Sequence, residues 1–104
     1  NGENLSPKEI EDALFTHPAV ENVAVVGMPS ARTGEAVCAF IIPAPRASID
    51  LAEVSRHLVS EGLAKQKIPE RIVLVDALPI SPQGKVLKTE LRDRAREIAR
   101  TEAV

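Results

Sequence analysis

The chain has 104 residues, 44% of them apolar and 27% charged, with a net charge of −2. That length fits one domain able to bury roughly 65% of its unfolded surface without a metal or disulfide staple, and the small negative charge gives no general attraction for nucleic acid. The 2% aromatic content, Phe15 and Phe40 alone, removes the platforms on which bases stack and predicts an aliphatic core.

No apolar stretch approaches the roughly 20 residues of a membrane span, and the opening "NGENLSP" is neither a signal nor a transit peptide. A cytoplasmic protein with no transmembrane segment is expected. The single cysteine, Cys38, cannot close an internal bridge and lies in an apolar run, which reads as a buried thiol. The chain opens mid-motif on Asn1-Gly2 without an initiator Met, which predicts a fragment of a larger protein.

In chain order, "LSPKEIEDALFTHP" predicts a helix over about 7–15. Ser6 stands at the N-cap, Pro7 at the first helical position and Glu9 where a capping box would place it, with Ile10, Ala13 and Leu14 at helical spacing. His17-Pro18 ends it. "VENVAVVGM" and "AVCAFIIP", separated by the polar loop "PSARTGE", predict neighbouring strands at about 22–27 and 36–42. Arg32, Gly34 and Glu35 in that loop read as a strand-to-strand turn, with Gly34 setting its shape.

After the proline-rich turn "PAPRAS", Asp50 caps a second helix with Glu53 three residues on, Leu51, Val54 and Leu58 on one face, and Gly62 at its end. "RIVLVD", 71–76, is a third strand. Beyond "ALPISPQGK", the residues Leu87, Leu91, Ala95 and Ile98 predict an amphipathic terminal helix. The order helix, strand, strand, helix, strand, helix predicts an α+β fold in which about three strands pack against three helices as one domain over 1–104.

In "SPQGKVLK", Pro79 precedes the segment, Pro82 stiffens it and Gly84 adopts angles closed to other residues, so the turn delivers Lys85 on a fixed tip. A compact ammonium there suits a phosphate or carboxylate oxygen, or is a solvated lysine ahead of a helix. It is not a Walker phosphate loop, since no G-x-x-x-x-G-K-[ST] is present. His17, in a helix-ending turn beside proline, and His57, on a helix with no evident partner, read as surface residues. Lys88, Arg92, Arg94, Arg96 and Arg100 could meet phosphates, but the interleaved Glu90, Asp93 and Glu97 favour a salt-bridged exposed face. No His/Cys cluster predicts a metal site.

Four stretches, "NGENLSPKEIEDALFTHPAVENVAVVGMP", "GEAVCAFIIP", "KQKIPERIVLVDALP" and "PISPQGKVLKTELR", together span nearly the whole chain. In order and spacing they resemble the C-terminal domain of the adenylate-forming enzymes. That superfamily comprises acyl-CoA synthetases, the adenylation domains of peptide synthetases and firefly luciferase, and the style is closest to fatty-acyl and aryl-CoA synthetases. The family's P-x-x-x-x-G-K pattern is present as Pro79, Gly84 and Lys85.

The resemblance implies an AMP-forming acid-thiol ligase of fatty acid metabolism that uses ATP with Mg2+ and CoA. Lys85 then stabilises the adenylation transition state, while Pro79 and Gly84 shape its loop. It also implies a large N-terminal ATP-binding domain as partner, against which this domain swings; without that domain the fragment is expected to be inactive and to bind no cofactor. Gly2, with Glu3 and Asn4, then belongs to the face that passes the pantetheine arm of CoA. Asn1 departs from the glycine common there in CoA synthetases. Two alternatives are an adenylation domain that loads a carrier-protein pantetheine and a free-standing regulatory or binding module.

Overall fold

The computed structural model describes residues 6–30 and 34–102, so Gly2, Glu3, Asn4 and Arg32 lie outside the described residues. The elements are α1 (Pro7–Leu14), β1 (Val20–Ser30), β2 (Gly34–Pro43), α2 (Leu51–Ser60), a 3-10 turn at Lys65–Lys67, β3 (Arg71–Leu74) and α3 (Lys88–Glu102). The α+β class and the order of helices and strands are those the sequence predicts; the 3-10 turn is an addition.

The sheet runs β1-β2-β3, with β1 antiparallel and β3 parallel to β2. Alternation along the strands divides the core in two. Val23, Val25, Val37, Ala39 and Ile41 face α1 and α2 and meet Ile10, Leu14, Val54 and Leu58. Ala24, Val26, Cys38 and Phe40 face the other way, onto Leu78, Leu91 and Ala95. The central strand is therefore buried continuously from Ala36 to Ile41, as a strand covered on both faces must be. Cys38 is fully buried, in keeping with the expected core thiol, and the interior is aliphatic apart from the equally buried Phe40.

Both β1 and β2 outrun their predicted bounds. Their pairing runs from Val20 opposite Pro43, across a register shift before Asn22, to Ser30 opposite Gly34, carrying Pro29 into the strand. A proline is accepted there because β1 lies at the edge of the sheet. β3 is shorter than predicted, although Val75 N–H still donates to Ile41 C=O at 2.9 Å.

The two predicted capping boxes come out differently. Asp50 caps α2, accepting from Glu53 N–H at 2.9 Å, and α2 ends on Gly62 at φ +89° with Leu63 N–H on Leu58 C=O and Gly62 N–H on Val59 C=O, the Schellman pattern. Ser6, by contrast, makes no side-chain cap bond, and the Glu9 carboxylate pairs with Lys67 at 2.5 Å instead of turning back. Glu53 likewise turns outward, to His17 and Arg56. In each case a cation or ring brought by tertiary packing wins the carboxylate. Leu87, predicted to start the apolar stripe of the last helix, precedes α3 and is 40% exposed, while Leu91 and Ala95 carry the buried face.

Candidate functional site

Lys85 stands on a small hairpin between β3 and α3. Leu87 N–H donates to Pro79 C=O at 2.8 Å, Ile80 and Val86 form an antiparallel bridge, and Ser81 N–H donates to Lys85 C=O at 2.8 Å. The tip closes with Gly84 N–H on Ser81 C=O at 2.9 Å, and Ser81 Oγ accepts from Gln83 and Lys85 N–H, both at 3.2 Å. Gly84 has φ +86°, the left-handed conformation that a turn continued by one such residue needs to bring two strands into register. The loop is held by these backbone bonds and the Ser81 hydroxyl, with Val86 packed against the core around Phe40.

Pro79, Gly84 and Lys85 are thus brought together at the base, bend and tip of one hairpin. The Lys85 side chain is exposed and, like Arg46 and Lys65, makes no ion pair or hydrogen bond among the described residues. The hairpin's first root is Leu78, buried beside Phe40 and Leu91.

The second root is one that spacing did not reveal. Lys88 Nζ donates to Val25 C=O at 3.0 Å and pairs with Glu11 Oε2 at 2.9 Å, and the same Glu11 oxygen accepts from Val25 N–H at 2.8 Å. Glu11 and Lys88 are 77 positions apart in the sequence, so only the fold joins them.

The other cations of α3 are engaged inside the domain. Arg92 reaches Thr89, Arg96 pairs with Asp93, Arg100 pairs with Glu97, and the Arg94 guanidinium lies 5.4 Å above the centre of the Phe40 ring. This is the salt-bridged face that the interleaved acids imply.

The histidines need correcting. His17 and His57 are not unpartnered surface residues: their rings meet edge to face at 4.8 Å, His17 Nε2 bonds Glu53, and His57 Nε2 lies 3.0 Å from Ala13 C=O and 2.7 Å from Thr16 Oγ1. They staple α1 to α2. Burial pushes the Cys38 thiol up to about 11, against a smaller opposing pull from Arg71. Such a thiol is no nucleophile at neutral pH.

Among the described residues no group of three or more His, Cys, Asp or Glu side chains is arranged to hold a metal ion, and no helix is long and apolar enough to cross a membrane.

Residues 9–85 match the AMP-binding enzyme C-terminal domain family, and the chain belongs to that family. It is the C-terminal domain type of the adenylate-forming enzymes. Among curated proteins it is 44% identical over 93 residues to a fatty acid–[acyl-carrier-protein] ligase of Streptomyces coeruleorubidus, covering 89% of this chain and 18% of the relative. It is 41% identical over 92 residues to the medium-chain fatty-acid–CoA ligase of Escherichia coli K12, covering 88% and 16%. The crystal structure of apo MatB from Rhodopseudomonas palustris superposes with a TM-score of 0.86 at 41% identity, over 94% of this chain and 19% of that one. The chain therefore spans less than a fifth of the length of these relatives.

Proposed function

We propose that this chain is the mobile C-terminal domain of an AMP-forming acyl-CoA synthetase and that Lys85 serves its adenylation step. In that step a carboxylate oxygen attacks the α-phosphorus of ATP, the bond from that phosphorus to the bridging oxygen breaks, and pyrophosphate leaves. Two anions meet and charge builds on the oxygens between them, so an ammonium aimed there lowers the barrier. In the second step the thiol sulfur of CoA attacks the acyl carbon, the bond from that carbon to the phosphate oxygen breaks, and AMP departs while the thiol proton is lost to solvent. The observation that carries the reading is the Lys85 ammonium, exposed and unpaired among the described residues, on a hairpin shaped by its own backbone bonds.

Pro79 and Gly84 shape the loop in this reading, and the half-exposed Ile80 and Leu87 beside the lysine offer apolar surface to a large ATP-binding domain of the same protein. Gly2, Glu3 and Asn4 would line the passage of the pantetheine arm in the second step, where a glycine leaves room that a side chain would fill. Mg2+ would enter with ATP, since no group of three or more His, Cys, Asp or Glu side chains among the described residues fits a resident metal ion. A second reading keeps the chemistry and changes the acceptor to a carrier-protein pantetheine; the name of the acyl-carrier-protein ligase relative favours it.

The test is Lys85→Ala in the intact enzyme, with the two half-reactions measured separately. ATP–pyrophosphate exchange is expected to fall at least about 100-fold, while acyl transfer from supplied acyl-adenylate to CoA is largely kept. Equal loss in both steps would make the lysine structural. Offering CoA and a pantetheinylated carrier protein side by side decides the acceptor.

A further inference from the structure

We propose that Lys88 is a positioning residue for Lys85, fastening with Glu11 the C-terminal root of the lysine hairpin to the open edge of β1; the inference rests on the adenylation reading of Lys85. Val25 lies opposite Ala39 in the β1–β2 register, yet its N–H and C=O are taken by Glu11 and Lys88 at 2.8 and 3.0 Å. Antiparallel strands alternate between residues that bond their neighbour and residues whose backbone groups point away. At Val25 both groups point off the sheet, and the ion pair completes them as a further strand would.

A lysine at the first position of a helix faces the positive end of its dipole, so helix energetics do not explain Lys88. Its reach to β1 does. The pair is partly shielded, with the side chains 31% and 18% exposed, and each member is tied twice, which holds the geometry more firmly than a solvated surface pair does. Only Val86 and Leu87 separate Lys85 from this anchor, and both are locked across the hairpin, Val86 by its bridge to Ile80 and Leu87 by its bond to Pro79. Rotation at the root is therefore passed to the tip.

The polarity of Val25 also fixes which partner is the acid. Its N–H needs an acceptor and its C=O a donor, so Lys88→Arg retains both links, whereas exchanging the two charges presents a donor to a donor and an acceptor to an acceptor.

The experiment uses the intact enzyme carrying Lys88→Met, Lys88→Arg or the exchanged pair Glu11→Lys with Lys88→Glu, beside Lys85→Ala. Octanoate and 2,3-dihydroxybenzoate are the probe acids for ATP–pyrophosphate exchange, and the corresponding acyl-adenylates are the probes for transfer to CoA. Displacing a catalytic group by about 1 Å lowers rates on the order of 100-fold. Lys88→Met is thus expected to reduce exchange by about 10- to 100-fold while transfer stays within about threefold. Lys88→Arg is expected to restore exchange and the exchanged pair to fail. A proportional fall of both half-reactions in Lys88→Met, as loss of folded protein produces, overturns the proposal, as does rescue by the exchanged pair. Unchanged exchange in Lys88→Met with lost exchange in Lys85→Ala overturns the positioning role alone; unchanged exchange in both overturns the role of Lys85 with it.

Discussion

His17 donates its Nε2–H to Glu53 Oε2 across 2.9 Å, tying the turn after α1 to the first turn of α2. The direction is set by the other ring nitrogen, since Nδ1 accepts from Ala19 N–H at 3.0 Å and must be unprotonated there. Together with the His57 ring, which crosses from α2 to Ala13 C=O, this makes α1 and α2 one unit on their face of the sheet.

That contact gives stability an acid limb. The Glu53 carboxyl is held below its ordinary value of 4.5, first by the hydrogen bond from His17 and then by that from Arg56, with desolvation opposing. A depressed carboxyl stabilises the fold above its unfolded value and loses that contribution as pH falls through the lower folded value. Urea midpoints followed from pH 5 to 3 are expected to drop more steeply in wild type than in Glu53→Gln. Parallel curves would show that the contact adds no pH dependence.

The two cap sites are expected to respond unequally. Asp50→Ala removes a cap bond that exists and is expected to lower stability by about 1 kcal/mol. Ser6 makes no such bond, and Ser6→Ala is expected to change stability by less than about 0.5 kcal/mol. Chemical denaturation of the two variants compares them directly.

Gly84→Ala puts a side chain on a residue at φ +86° although no atom lies within 4 Å of the added carbon, so the effect is backbone strain without a clash. A loss of about 1–2 kcal/mol is expected. Gly84→Asn, which accepts that conformation more readily, is expected to lose less. Thermal melts rank the three proteins; identical melts would mean that the hairpin can close in another conformation.

Cys38 is expected to resist alkylation at pH 8 and to react at once when denaturant is added, because burial holds its thiol up to about 11. The sign for stability is opposite to that of Glu53: the raised value favours the fold below the ordinary thiol value of 9.0, and this advantage is lost as pH climbs from there toward the folded value of about 11. Iodoacetamide labelling read by mass spectrometry checks the first expectation, and denaturation curves from pH 8 to 10 check the second.

Much of the architecture was legible in the chain itself. The helix starts at Pro7 and Asp50, the stop at Gly62, the aliphatic runs of β1 and β2 and the glycine bend before Lys85 all depend on residues within about five positions of one another, where covalent spacing restricts which backbone groups can meet. The strand limits were less legible, because Pro29 looks like a strand end until β1 is known to be an edge.

What only the tertiary structure decided is where long side chains spend their charge. Glu9 and Glu53 fit a capping box by spacing, yet they pair with Lys67 and His17 across 58 and 36 positions, and Lys88 reaches Val25 across 63. A carboxylate choosing between a nearby backbone N–H and a charged or ring donor settles on the stronger, better-oriented bond. That competitor is present only after packing on the two faces of the sheet has brought distant segments together.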